Sequence, residues 1–101
     1  MDSLETREFG TKKPRRSRMD IIHDMLAAIQ RKGGMIKPTH LMYKANLSHQ
    51  LMKEYVNELM EKGLMTEGID DKKKVYVLTE KGDAYLAQYR KMVEFQDAFG
   101  L

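Results

Sequence analysis

Leu47-Ser48-His49-Gln50-Leu51-Met52-Lys53-Glu54-Tyr55-Val56-Asn57-Glu58-Leu59-Met60-Glu61-Lys62-Gly63-Leu64 leads directly into Met65-Thr66-Glu67-Gly68-Ile69, Asp70-Asp71-Lys72-Lys73 and Lys74-Val75-Tyr76-Val77-Leu78-Thr79. Ser48 suits a helix N-cap, because its hydroxyl can accept from a backbone N–H of the first turn. Met52, Tyr55, Val56 and Leu59 recur at helical spacing as an inward stripe, which Met60 extends. His49, Gln50, Lys53, Glu54, Asn57, Glu58 and Glu61 are left on the polar side. Gly63 supplies a left-handed exit. The β-capable runs 64–69 and 74–78 flank Asp70 to Lys73, a span of turn formers, and predict a hairpin with a lysine-rich tip. A polar helix face beside a protruding hairpin is a device for entering nucleic-acid grooves.

Upstream, Ser17 is a second good N-cap, with Asp20 three residues on in a weak capping box. Ile22, Met25, Leu26 and Ile29 line one face of a first helix over about 18–32, which Gly33-Gly34 stop. Met35-Ile36 predict a very short strand. Pro38 opens a second helix that runs through Lys44 or Ala45, and Asn46 tolerates the left-handed geometry of a helix end. Downstream, Thr79 caps a fourth helix of roughly 80–98.

On that last helix Tyr85, Tyr89, Met92, Gln96 and Phe99 alternate spacings of four and three, while Leu86 and Val93 broaden the stripe. Coiled-coil seams need this spacing, here over about two heptads. Packing on its own domain and pairing with a second subunit both account for it. A small domain buries only about two-thirds of its unfolded surface, which favours the second reading. These seven residues are therefore the candidate dimerisation contacts. The chain divides into a mobile basic arm over 1–16, a folded domain over 17–79 and a possible dimerisation helix over 80–101.

A hydrophobic content of 42% with 33% charged residues fits one soluble globular domain. No apolar run approaches the roughly 20 residues that span a bilayer, and Met1-Asp2-Ser3-Leu4-Glu5 has no signal-peptide character. The expected location is the cytoplasm. Without cysteine there are no disulfides or thiolate ligands, and His23, His40 and His49 belong to no close His/Asp/Glu set. No metal or other cofactor is expected, and no small-molecule ligand. The chain lacks a Gly-rich phosphate loop, Gly-x-Ser-x-Gly and His-Glu-x-x-His, so an enzyme is not expected either.

The net charge of +3 is unevenly spread. Residues 1–18 hold six Lys/Arg against three Asp/Glu, whereas residues 19–101 hold twelve of each. A case for an anionic partner must therefore rest on how charges are placed. Lys12-Lys13-Pro14-Arg15-Arg16-Ser17-Arg18 reads either as a solubilising tail or as a phosphate-contacting arm, which makes Arg15, Arg16 and Arg18 candidates. His49, Gln50, Lys53 and Asn57 project together from the early turns of the third helix, and the backbone N–H groups after Ser48, at its positive end, favour a phosphate oxygen. Gln and Asn can grip adenine with two bonds, and Lys can reach guanine or phosphate. Glu54, Glu58 and Glu61 would repel phosphates, so only the first half of this helix is expected to approach DNA. Lys72, Lys73 and Lys74 read as phosphate contacts or as a guard against edge-to-edge aggregation. Tyr43, Tyr76 and Tyr85 fall inside apolar patterns and are expected in the core, as are Met25, Met52, Met60 and Met92.

The order helix, short strand, helix, helix, hairpin, helix is that of an α+β winged helix-turn-helix. Two stretches narrow the likeness, Met42-Tyr43-Lys44-Ala45-Asn46-Leu47-Ser48 and Tyr76-Val77-Leu78-Thr79-Glu80-Lys81-Gly82. The second is shared by many winged-helix regulators, and the first is more particular to one group. Over roughly residues 17–95 the chain resembles the ten-kilodalton archaeal chromatin-associated winged-helix proteins. That resemblance implies double-stranded DNA as partner, helix three in or across a groove, the hairpin on the adjacent backbone, and a homodimer joined by antiparallel last helices. Gly100 departs from the pattern by stopping the last helix sooner than in that group. A winged-helix module that docks proteins without reading DNA is the rival expectation, since residues 19–101 carry no net charge.

Overall fold

The computed structural model describes residues 16–101. Apart from Arg16, the arm expected over 1–16 lies outside the described residues. In chain order the elements are α1 (Arg18–Arg31), β1 (Met35–Ile36), α2 (Pro38–Ala45), α3 (His49–Glu61), β2 (Met65–Asp70), β3 (Lys73–Leu78) and α4 (Glu80–Ala98). The expected α+β winged-helix order is the order observed.

Short side chains set the starts of the three longest helices. Ser17 Oγ accepts from Asp20 N at 3.0 Å while the Asp20 carboxylate accepts from Ser17 N, which completes the capping box. Ser48 Oγ accepts from Leu51 N, and Thr79 Oγ1 from Gly82 N. Such caps satisfy backbone donors that the helix itself cannot. Pro38 begins α2, and Asn46 ends it with φ 55° and ψ 55°.

The three strands are antiparallel in the order β1-β3-β2, with Met35 opposite Val77 and Glu67 opposite Tyr76. The expected four-residue turn is tighter than its composition indicated. Asp70 pairs with Lys73, so only Asp71 and Lys72 lie outside the ladder, at φ 51° and 65°. Two successive left-handed residues form the turn whose twist matches the strands. Lys73 and Lys74 consequently belong to β3, and Lys72 alone of the three stands at the tip.

The core lies between α1, the other helices and one face of the sheet. Met25, Leu26, Ile29, Leu41, Leu59 and Met65 are its fully buried large side chains, and no buried polar or charged residue occurs among the described residues. Each such side chain contributes about 1.5–3 kcal/mol by leaving water. Met25 and Met52 are buried as expected, whereas Met60 and Met92 are half-buried. Tyr76 is buried and Tyr85 half-buried, but Tyr43 is 73% exposed. The correction for Tyr43 follows from helical geometry. Leu41 and Ala45 face inward four residues apart, so a residue midway between them points outward.

The stretch Thr79-Glu80-Lys81-Gly82 welds α4 to the end of α3. Thr79 Oγ1 donates to Gly63 O at 2.7 Å, and Lys81 Nζ donates to Lys62 O at 2.7 Å. Both carbonyls belong to the turn that leaves α3, where Gly63 has φ +78°. Gly82 is buried against Leu64 and Leu78. Among the described residues, no helix is long and apolar enough to cross a membrane.

Candidate nucleic-acid interface

The outward side of α3 is built by default, because Met52, Val56 and Leu59 take the opposite side into the core. His49, Gln50, Lys53, Glu54 and Asn57 are exposed and line one shallow depression. Gln50 Nε2 donates to Glu54 Oε2 at 3.5 Å, a long and weak bond that leaves the amide free to exchange partners. Among the described residues Lys53 has no ion-pair partner. Ser48 lies at the positive end of this helix, where backbone N–H groups favour an anion. The patch thus combines amide donors and acceptors, an imidazole and one ammonium, a set able to read base edges.

The three glutamates of α3 do not contribute equally. Arg18 forms an ion pair with Glu58 and lies 5.7 Å over the Tyr55 ring. This contact screens the carboxylate at the α1 side of α3, leaving Glu54 and Glu61 as its exposed acids. Arg16 is held inside the fold as well. Its guanidinium donates to Asp24 Oδ2 at 2.8 Å, Ala45 O at 2.7 Å and Asn46 O at 2.8 Å, tying α1 to the end of α2. Both arginines were candidates for phosphate, and both have intramolecular partners. Arg15 lies outside the described residues.

On the hairpin, Lys74 Nζ sits 3.6 Å from Glu67 Oε2 and 5.6 Å from the Tyr76 ring centroid. Lys72 and Lys73 are exposed and, among the described residues, have no ion-pair partner. Of the three candidate lysines, two are uncommitted.

The proposed dimer seam is divided. Leu86 is buried, Tyr85 Oη donates to Met19 O at 3.2 Å, and Tyr89 Oη donates to Asp20 Oδ1 at 2.7 Å. The Tyr89 ring also stacks on His23 with centroids 4.1 Å apart. These three residues therefore pack on α1 of their own domain. Met92 and Val93 are half-buried, and Gln96 and Phe99 are exposed. Phe95 was not among the candidates, yet it is exposed and its ring lies 5.0 Å from that of Phe99. An aromatic pair four residues apart was the available signal.

The bond to Asp20 pushes the Tyr89 phenol up to about 12 and, together with Ser17, holds the Asp20 carboxyl below its ordinary 3.8. A depressed carboxyl contributes stability above pH 3.8 that is lost as pH falls through its lower folded value. The raised phenol contributes below pH 10 and loses that contribution as pH rises through about 12. Tyr89→Phe should therefore melt below the wild type at pH 7, with the gap narrowing once pH drops well under 3.8. Paired thermal melts at neutral and acid pH check this, and an equal gap at both would contradict it.

The winged helix-turn-helix family matches residues 15–97. The chain belongs to that family. Among solved structures, this winged helix-turn-helix protein is similar to Sso10a-2, a DNA-binding protein from Sulfolobus solfataricus, with TM-score 0.71 and 20% identity over 83% of this chain and 85% of that one. A MarR family transcriptional regulator from Silicibacter pomeroyi matches with TM-score 0.70 and 22% identity over 80% of this chain. The present chain spans 56% of that regulator's length. F93 from STIV, a winged-helix DNA-binding protein, matches with TM-score 0.67 and 16% identity over 79% of this chain and 92% of that one. At these identities the likeness is one of fold. Among curated proteins none matches the sequence.

Proposed function

We propose that this chain is a double-stranded-DNA-binding winged-helix protein, a transcription regulator or chromatin component, that offers the first half of α3 to a groove and Lys72 at the hairpin tip, with Lys73 beside it at the start of β3, to the neighbouring backbone. The observation that carries this reading is the exposed patch of His49, Gln50, Lys53 and Asn57, beside which Arg18 neutralises Glu58. The similarity to the DNA-binding proteins Sso10a-2 from Sulfolobus solfataricus and F93 from STIV supports it. On this reading the protein acts in the cytoplasm on nucleoid DNA, by binding rather than by catalysis. A homodimer joined along the free end of α4 fits the exposure of Phe95 and Phe99, and two copies would hold two α3 helices at a fixed separation. Sedimentation of the full chain as a monomer at micromolar concentration would remove the dimer.

Titration of the full-length chain onto duplex DNA at two salt concentrations tests the binding itself. Affinity should fall steeply with added salt, because each neutralised phosphate releases counterions. Absence of binding at low salt would leave the protein-docking module as the better reading. Lys72→Ala/Lys73→Ala should lower the slope of log affinity against log salt by about two, at roughly 0.9 per phosphate contact on duplex DNA. Adding Lys74→Ala should change it little further, since that ammonium already faces Glu67. An unchanged slope in the double variant would assign the tip to solubility.

A further inference from the structure

Residues 25–53 contain no Asp or Glu, yet they hold Arg31, Lys32, Lys37, Lys44 and Lys53. The balance of charge over residues 19–101 therefore conceals a basic middle between acidic flanks. The fold gathers three of these cations, with His40, into one cleft between the C-terminal end of α1 and the side of α2. Arg31, Lys32, His40 and Lys44 line it together with the buried Ala28, around a volume of about 240 Å³. Among the described residues no carboxylate lines this cleft, and none of the four groups has an ion-pair partner. It shares no residue with the patch on α3.

Helix dipoles account for part of the cluster. Arg31 and Lys32 close α1, and Lys44 lies in the last turn of α2, where cations face the negative helix end. They do not account for His40 in the first turn of α2, at the positive end. Nor do they account for cations from the end of α1 and from the side of α2 lining one concavity, where like charges repel.

We propose that this cleft is an anion site that takes a phosphate group. An Arg guanidinium presents paired donors in a plane, Lys adds a point charge, and His40 can donate from the facing helix. Donors from both helices can thus reach several oxygens of one phosphate group. The volume lies below the 300–1,000 Å³ or so of sites for drug-sized ligands, so a compact group fits rather than a large aromatic metabolite. A backbone phosphodiester of DNA and a free phosphate-bearing molecule present the same chemistry.

The test uses the full-length chain and Arg31→Gln/Lys44→Gln, in which both altered side chains are exposed. Sodium phosphate is titrated against the amide spectrum at constant ionic strength held with sodium chloride. Saturable shifts at residues 28–32 and 40–44 are expected, weakened at least tenfold in the variant and restored in Arg31→Lys/Lys44→Arg. In a second arm, duplex affinity is followed against salt. A slope lower by about two in the glutamine variant, at unchanged sequence preference, identifies the backbone as the source. Saturable phosphate shifts with an unchanged slope identify a free phosphate. No saturable shift together with an unchanged slope overturns the site. Should the wild type bind no duplex, the phosphate arm decides alone, so the failure of DNA binding and the failure of this site remain distinct.

Discussion

Gly82→Ala is expected to destabilise the fold by about 2–3 kcal/mol, the upper part of the range for forcing an extra methyl into a packed site. A methyl carbon at this position would lie 2.2 Å from Leu64 O and 2.7 Å from Leu78 Cδ1. Leu78 could rotate away, but the Leu64 carbonyl belongs to the backbone of the turn between α3 and β2. That turn is itself held by Thr79 and Lys81, so α4 would have to move away as a unit. The sign is diagnostic, because alanine in an unobstructed helix is about 1 kcal/mol better than glycine. A thermal melt should show a loss of roughly 10–20 °C at about 4–8 °C per kcal/mol for a domain of this size. A gain would contradict the close approach of α4 to Leu64. The same approach explains why the motif ending in Lys81-Gly82 is useful to a winged helix: threonine, lysine and glycine each act on one turn.

Lys53→Ala/Asn57→Ala should weaken binding to a preferred duplex by about 2–4 kcal/mol, a loss of roughly thirty- to a thousandfold, if each side chain contacts a base or phosphate. Both residues are exposed and take no part in the core. Alanine is also the best helix former, so the melting temperature should stay close to wild type. Anisotropy titrations on the preferred duplex and a scrambled one separate the two contributions. Loss of the Asn57 contact should reduce discrimination between them, while loss of Lys53 should weaken both where it meets phosphate. Unchanged affinity and preference would remove this face of α3 from the interface.

The elements were legible because their signals are local. Ser17, Ser48 and Thr79 cap helices within three residues of themselves, and Asn46 and Gly63 end helices by their own backbone geometry. What escaped depends on contacts between distant positions. Arg16 meets Asn46 across 30 residues, and Tyr89 meets Asp20 across 69, and no spacing rule connects such pairs. Lys74 is an intermediate case. Its partner Glu67 lies opposite Tyr76, two residues further along the same strand face, so the ion pair follows once register is known. Register follows in turn from a two-residue connection at Asp71-Lys72 rather than a four-residue one. The basic cleft escapes a whole-domain charge count because acidic flanks cancel it. Dividing the charge at residue 18 yields a neutral remainder, whereas dividing it at Asp24 and Glu54 isolates the cationic middle.

Every large fully buried side chain in the described fold is an aliphatic or a thioether, and no buried polar or charged residue occurs there to couple the interior to the outer side of α3. Substitutions at positions 49, 50, 53 and 57 therefore leave the foundations of the domain untouched. Such a scaffold can acquire a new target preference one residue at a time without first accumulating a reserve of robustness, and its methionines give the interior slack to accommodate drift on its own schedule.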